Sequence, residues 1–162
     1  MSGGVNASLA LRPITPADHE LLYRIYASTR IEELAVTGWD DSQKAAFLRM
    51  QFDAQHRYYL ENYRDARFQV IERDRAPVGR LYLARWPDEI RIIDIALLPE
   101  YRGQGLGSHL LRNILADARP AGLSVTIHVE RLNPALSLYE RLGFRKVEDK
   151  GVYLLMKWTP TD

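Results

Sequence analysis

The stretch "LLPEYRGQGLG", Leu97 to Gly107, decides how this chain is read. It sets Gly103, Gly105 and Gly107 directly after one of the most apolar runs in the sequence, "IRIIDIALL" at positions 90–98. A strand that feeds a glycine-rich turn and then a helix is a known physical device. The first N–H groups of the helix have no internal partner and lie at its positive dipole end, so they bind an anion. Glycine there lets the backbone come within hydrogen-bonding distance of a phosphate. A nucleoside-triphosphate loop is excluded, because no Gly-Lys-Ser/Thr follows to grip a terminal phosphate and magnesium. A dinucleotide fingerprint would need glycine where Ser108 stands, and it belongs to an early strand-helix unit. Two readings stay open on spacing alone: a pyrophosphate cradle, and a tight turn that packs the helix close to the sheet.

Outward from this loop, strand and helix patterns alternate, without an internal repeat or a low-complexity tract. "SLALRP" reads as a short strand before Thr15-Pro16, a helix cap followed by proline. Leu21, Leu22, Ile25 and Tyr26 then recur at helical spacing to about Arg30. A second helix opens near Ser42, with Ala45, Leu48, Phe52 and Tyr59 on one stripe. "FQVIE" and "VGRLYLARW" are strands around the "RDRAP" turn, and "IRIIDIALL", apolar on both faces, is central. After the loop, Leu106, Leu110, Leu111, Ile114 and Leu115 mark a helix stopped by Pro120 and Gly122, followed by the buried strand "LSVTIHV". A last helix runs from Asn133-Pro134 to Gly143, and "FRKVED" and "VYLLMKW" close the chain as an antiparallel pair. The alternation specifies an α/β sandwich.

Length and composition narrow the partners. The 162 residues suit one domain, read here as residues 9–160 after a flexible tail over 1–8. Asn6-Ala7-Ser8 in that tail fits a glycosylation acceptor but reads as plain tail, because no secretion signal accompanies it. Lys and Arg number 22 against 21 Asp and Glu, a net charge of +1, so nucleic acid and anionic membrane are not expected as partners. With no cysteine, disulfides, thiolate metal ligation and a cysteine nucleophile are excluded. No run is apolar enough to span a bilayer, and a cytoplasmic location is expected.

The loop resembles the Arg/Gln-x-x-Gly-x-Gly/Ala motif of the GNAT acyltransferases, with Arg102, Gly105 and Gly107 in the fixed positions. "NPALSLYERLGF", Asn133 to Phe144, is similar to their second motif, a short helix that carries a tyrosine and ends in Gly-Phe. The resemblance implies a GNAT-like α/β fold: a mixed, mostly antiparallel sheet of roughly six to seven strands, flanked by helices, with a splayed parallel pair at its centre. It implies transfer of acetyl from acetyl-coenzyme A to a primary amine of a small molecule or protein, without a metal. Retention of the fold as a silent coenzyme-A-binding module is the alternative. A homodimer through edge strands is compatible with this architecture.

By the same resemblance, Leu97, Leu98 and Pro99 would meet the pantetheine arm through the main chain, with the Leu97 N–H polarising the acetyl carbonyl. Arg102, Gly103, Gln104, Gly105, Leu106, Gly107 and Ser108 would hold the pyrophosphate, and Asn133 would touch the cofactor or simply cap its helix. Tyr139 matches the family tyrosine and would protonate the departing sulfur; the residues alone also allow it to continue the apolar stripe of Ala135, Leu138 and Leu142. For the base, Asp94 interrupts an apolar central strand and His128 lies on the strand opposite the loop, with Glu130, Glu32 and Glu33 as further options. Glu33, Trp39, His56 and Tyr59 are the candidates for acceptor contacts, since the first half is where such enzymes differ by substrate.

Overall fold

The computed structural model describes residues 9–161; the expected tail over 1–8, including Asn6-Ala7-Ser8, lies outside the described residues. The elements follow in the order β1 (Leu9–Pro13), α1 (His19–Arg30), α2 (Asp41–Asn62), β2 (Arg67–Arg73), β3 (Ala76–Arg85) and β4 (Glu89–Leu97). They continue as α3 (Leu106–Ala118), β5 (Ser124–Glu130), α4 (Leu136–Arg141), β6 (Arg145–Asp149) and β7 (Tyr153–Trp158). The strands form a seven-stranded sheet in the order β1-β2-β3-β4-β5-β7-β6. Its only parallel neighbours among the described residues are β4 and β5.

Local chemistry fixes the element ends. Asp40 caps α2, accepting from the Gln43 N–H at 2.8 Å while the Gln43 side chain accepts from the Asp40 N–H at 3.0 Å. Before α1, Asp18 accepts from the Thr15 N–H and takes a two-pronged bond from Arg12 at 2.8 and 2.9 Å, which ties β1 to the helix start. The β2–β3 hairpin turns on Asp74 and Arg75, both at positive φ (52° and 69°), as a two-residue turn that matches strand twist requires.

Helix α3 buries Leu106, Leu110, Leu111, Ile114, Leu115 and Ala118, one stripe at helical spacing, against Val125, Ile127, Val129, Leu154 and Met156 on one face of the sheet. Fully burying one such leucine is worth about 1.5–3 kcal/mol. On the other face, Leu22, Tyr26, Leu48 and Phe52 from α1 and α2 pack on Tyr82. Two details differ from the sequence reading. Ala45 lies exposed, because α2 covers the sheet only from Phe47 onward. The last helix is confined to Leu136–Arg141, because Asn133 and Pro134 form its approach turn and Gly143 leaves it at φ 103°.

The feature that positions a site is a split in the middle of the sheet. β4 and β5 pair only from Glu89–Ser124 to Ile92–Ile127. Beyond that point β4 stays with β3 as far as Leu97, and β5 stays with β7 as far as Glu130. At the parting, Tyr82 faces Asp94 and Leu83 faces Ile92, so Ile93 is an extra residue, a bulge that bends β4. Apolar residues from Ile93 to Leu98 are consequently half-buried, in contrast to fully buried Ile90 and Ile92.

Candidate active site

The gap between the two strands presents bare backbone. Leu98 N–H donates to Val78 O at 2.8 Å, so the adjacent N–H and C=O of Leu97 point away from β3, toward the gap. The same alternation turns the N–H of Ile95 toward it. Pro99–Tyr101 then turns the chain, and Gly103 (φ 73°) and Gly105 (φ 82°) carry it in left-handed conformations that other residues enter at a cost. Helix α3 starts without a side-chain cap and without an acidic residue in its first turn. His109 N–H is the first to bond inside the helix, to Gly105 O at 3.0 Å, which leaves the N–H groups of Leu106, Gly107 and Ser108 with no helical partner. A Cβ at Gly107 would meet no atom within 4 Å. Neither backbone conformation nor packing therefore demands glycine there, in a first turn whose amides are uncapped. An anionic group fits such a cradle.

The loop's side chains are turned onto the protein. Arg102 donates from Nε to Leu97 O at 3.0 Å and from Nη2 to Ser28 Oγ at 3.1 Å, because the Leu97 carbonyl has no strand partner on that side. Gln104 accepts from Arg73 at 2.7 Å and donates to Glu100 O at 3.0 Å. Asn133 accepts from the Ala135 N–H at 2.8 Å, as a turn cap.

Tyr139, on α4, is 6% exposed and packs edge-on against Phe144 at 5.6 Å. Burial, with a smaller contribution from the Asp94 charge, pushes its phenol up to about 12. The hydroxyl therefore stays protonated through the neutral range. Asp94 stands just past the bulge and is ion-paired with Arg80 on β3. His128, the first β5 residue beyond the parallel pairing, has Arg91 Nη1 3.4 Å from its Nδ1. Burial, then the Arg91 charge, lowers its proton affinity, so the ring is neutral near pH 7. Arginine only donates, so the ring's lone pair lies on Nδ1 and faces Arg91. Glu130 accepts from Arg30 at 2.5 Å, and Glu33 shares that guanidinium at 3.1 Å, so the end of α1 is joined to β5 across the mouth of the gap. Glu32 is exposed.

The acceptor-side candidates do not gather at one place. Glu33 belongs to the Arg30 cluster, and Tyr59 lies against Tyr82, 6.0 Å between rings, where burial and then the Asp94 charge raise its proton affinity. Trp39, just before α2, packs on Phe47 of that helix, while His56 stacks on Phe52 and meets His19 edge-on, beside a cleft formed with Thr15, Leu22 and Leu60. Phe47, on which Trp39 packs, and Tyr59 are roughly 18 Å apart along α2. Sequence reading passed over Arg80 and Arg30. For Arg80 a signal exists: it is a lone charge inside an apolar strand, as Asp94 is in the neighbouring strand with the opposite sign. Among the described residues no group of three or more histidines or carboxylates is arranged to hold a metal, and no helix is long and apolar enough to cross a membrane.

A sheet split after a bulge, with an uncapped helix start beside the split, defines an α/β protein whose free backbone amides suit an anionic ligand. Residues 24–144 match the acetyltransferase (GNAT) family, and the chain belongs to that family. It is 34% identical over 67 residues to the [ribosomal protein bS18]-alanine N-acetyltransferase of Haemophilus influenzae, a match that takes in 41% of this chain and 46% of that protein. It thus spans under half the length of that curated relative. A Bacillus subtilis protein provisionally named for the same reaction is 36% identical over 107 residues, 57% of this chain and 68% of its own length. Among solved structures, the PaiA N-acetyltransferase of Thermoplasma acidophilum in complex with coenzyme A superposes with a TM-score of 0.70 at 18% identity, over 94% of this chain and 99% of that one.

Proposed function

We propose that this chain transfers an acetyl group from acetyl-coenzyme A to a primary amine by direct attack. The observation that carries the reading is the uncapped start of α3, with open space at Gly107, beside the β4 edge that β5 leaves unpaired. These residues fit the co-substrate: the N–H groups of Leu106, Gly107 and Ser108 for its pyrophosphate, and the main chain of Ile95 to Pro99 for its amide-bearing arm. Bound there, acetyl-coenzyme A supplies a thioester carbonyl.

The Leu97 N–H then donates to the carbonyl oxygen as negative charge develops on it. The amine nitrogen forms the new C–N bond while the C–S bond breaks, and the Tyr139 hydroxyl gives its proton to the departing sulfur. Its phenol holds the proton more tightly than a thiol does, so the transfer is uphill by itself; the hydroxyl acts first as a hydrogen-bond donor, and any proton it gives up is replaced by the one that the amine releases. The amine proton leaves by way of Asp94 or water. His128 is the weaker candidate, because its lone pair already faces Arg91. The relatives' names favour the α-amine of a protein chain as acceptor, and a reducing, cytoplasmic setting agrees with the absence of cysteine.

The test is thiol release from acetyl-coenzyme A across a panel of polyamines, amino acids and peptides with free N-termini, with product mass measured. An added acetyl group on one acceptor class is the expected outcome. Tight acetyl-coenzyme A binding with no thiol release from any amine would leave a silent binding module instead.

A further inference from the structure

The acceptor face of the sheet encloses a charge that stability does not explain. Arg80 is 3% exposed; its Nη2 donates to Gln55 Oε1 of α2 at 3.0 Å and to Asp94 Oδ2 of the adjacent strand. The guanidinium lies 5.0 Å from the Tyr82 ring and 6.0 Å from the Tyr26 ring. Two fully buried polar atoms there have no partner among the described residues, Arg80 Nε and the Tyr82 hydroxyl. Apolar residues of similar volume usually serve a core better than a buried ion pair does, and orphaned donors worsen the balance.

The position of the pair supplies a reason for keeping it. Asp94 follows the bulge at Ile93, where β4 leaves β5, and its side chain is 20% exposed, whereas Arg80 behind it is sealed. Arg80 engages Oδ2 alone, and Oδ1 has no hydrogen-bond partner among the described residues. After burial, the Asp94 charge is the next cause that raises the proton affinity of both Tyr139 and Tyr59.

We propose that Arg80 is a positioning residue: it holds Asp94 from beneath, so that Oδ1 receives the ammonium group of the acceptor and seats it beside the gap. This rests on the amine-acetylation reading above. It makes the site selective for an acceptor that arrives as a cation, and it gives the buried pair a role in acceptor binding and none in cofactor binding.

The test compares wild type, Arg80→Lys, Arg80→Met and the double variant Arg80→Met/Asp94→Leu. Calorimetry in the presence of coenzyme A measures binding of a peptide with a free N-terminal alanine and of the same peptide N-acetylated. Wild type should favour the charged peptide by roughly 10-fold or more. Arg80→Met alone should lose thermal stability, because Asp94 is left without its cation. The double variant should regain the wild-type melting temperature and acetyl-coenzyme A affinity, yet bind both peptides alike, with the amine KM raised roughly 10- to 100-fold. Arg80→Lys, which keeps a cation, should retain most of the discrimination. A double variant with wild-type stability and wild-type discrimination would show the pair to be structural and overturn the proposal. Equal binding of the two peptides by wild type overturns it as well, and leaves acetyl transfer standing if thiol is still released. Discrimination without thiol release sinks the transfer reading alone.

Discussion

Replacement of Gly107 by glutamate should raise the stability of the fold and abolish acetyl-coenzyme A binding in the same molecule. Gly107 is the second residue of α3, at a negative φ, and a Cβ there meets nothing within 4 Å, so the side chain enters without strain. Glutamate gains about 0.5–1 kcal/mol over glycine in helix propensity. A carboxylate in an uncapped first turn that has no acidic residue adds about 0.3–1 kcal/mol against the dipole. Together these raise the melting temperature by roughly 2–8 °C for a chain of this size. The same carboxylate occupies the place of the pyrophosphate and competes for the amides of Leu106, Gly107 and Ser108. Loss of two charge-assisted bonds, at about 1.5–3 kcal/mol each, weakens binding by roughly 10²–10⁴-fold. Gly107→Ala adds only a methyl group and should leave affinity within a few-fold. Scanning fluorimetry and calorimetry with acetyl-coenzyme A read both quantities on one preparation. A glutamate variant of raised stability and undiminished affinity would refute the cradle and leave the loop as a packing turn.

Removing only the hydroxyl, Tyr139→Phe should lower the single-turnover rate by roughly 10²–10⁴-fold at unchanged acetyl-coenzyme A affinity; an unchanged rate assigns the ring to the core beside Phe144. Arg102→Ala should weaken acetyl-coenzyme A only modestly, by about 10-fold or less, because the backbone donors remain and the exposed guanidinium already has partners in Leu97 O and Ser28; a loss as large as that from Gly107→Glu would mean that the side chain, not the helix start, carries the phosphate. Glu33→Ala and Tyr59→Phe should change amine KM while Trp39→Ala and His56→Ala do not, since only the first two lie with groups that border the gap. The reverse pattern would move the acceptor site to the His19–His56 cleft. Asp18 is held down to about 2, first by its Arg12 bonds, against about 3.9 for a free aspartate. Its stabilisation is therefore complete above the ordinary value and lost as pH falls toward 2. Between pH 5 and 2.5 the urea midpoint of wild type should drop more than that of Asp18→Asn, and equal drops would place the acid-labile groups elsewhere.

What was legible in the sequence follows from the range of the interactions involved. Elements with strong local causes were readable: the α3 stripe from Leu106 to Leu115, the apolar β4 and β5, the turn between β2 and β3, and Gly103 and Gly105, whose left-handed backbone angles other residues adopt only at a cost. The uncapped start of α3 was readable for the same reason, since a helix start needs only consecutive residues. The split of the sheet was legible only through the family resemblance, which implies a splayed central pair; its local cause was not, because it accompanies a register slip between β3 and β4 that leaves Ile93 unmatched, and no residue type at position 93 announces a bulge. The side proposed for the acceptor was least legible. Its groups come from α1, α2, β3, β4 and β5, and a pair such as Arg30 with Glu130 spans a hundred positions in the chain. Lone charges in apolar strands are the exception. Arg80 and Asp94 have no local reason to be where they are, and the cost of burying each without the other predicts that they meet. That argument needs only the relative register of two neighbouring strands, which is why the Arg80→Met/Asp94→Leu double variant, and not either single change, separates what the fold requires of this pair from what the acceptor does.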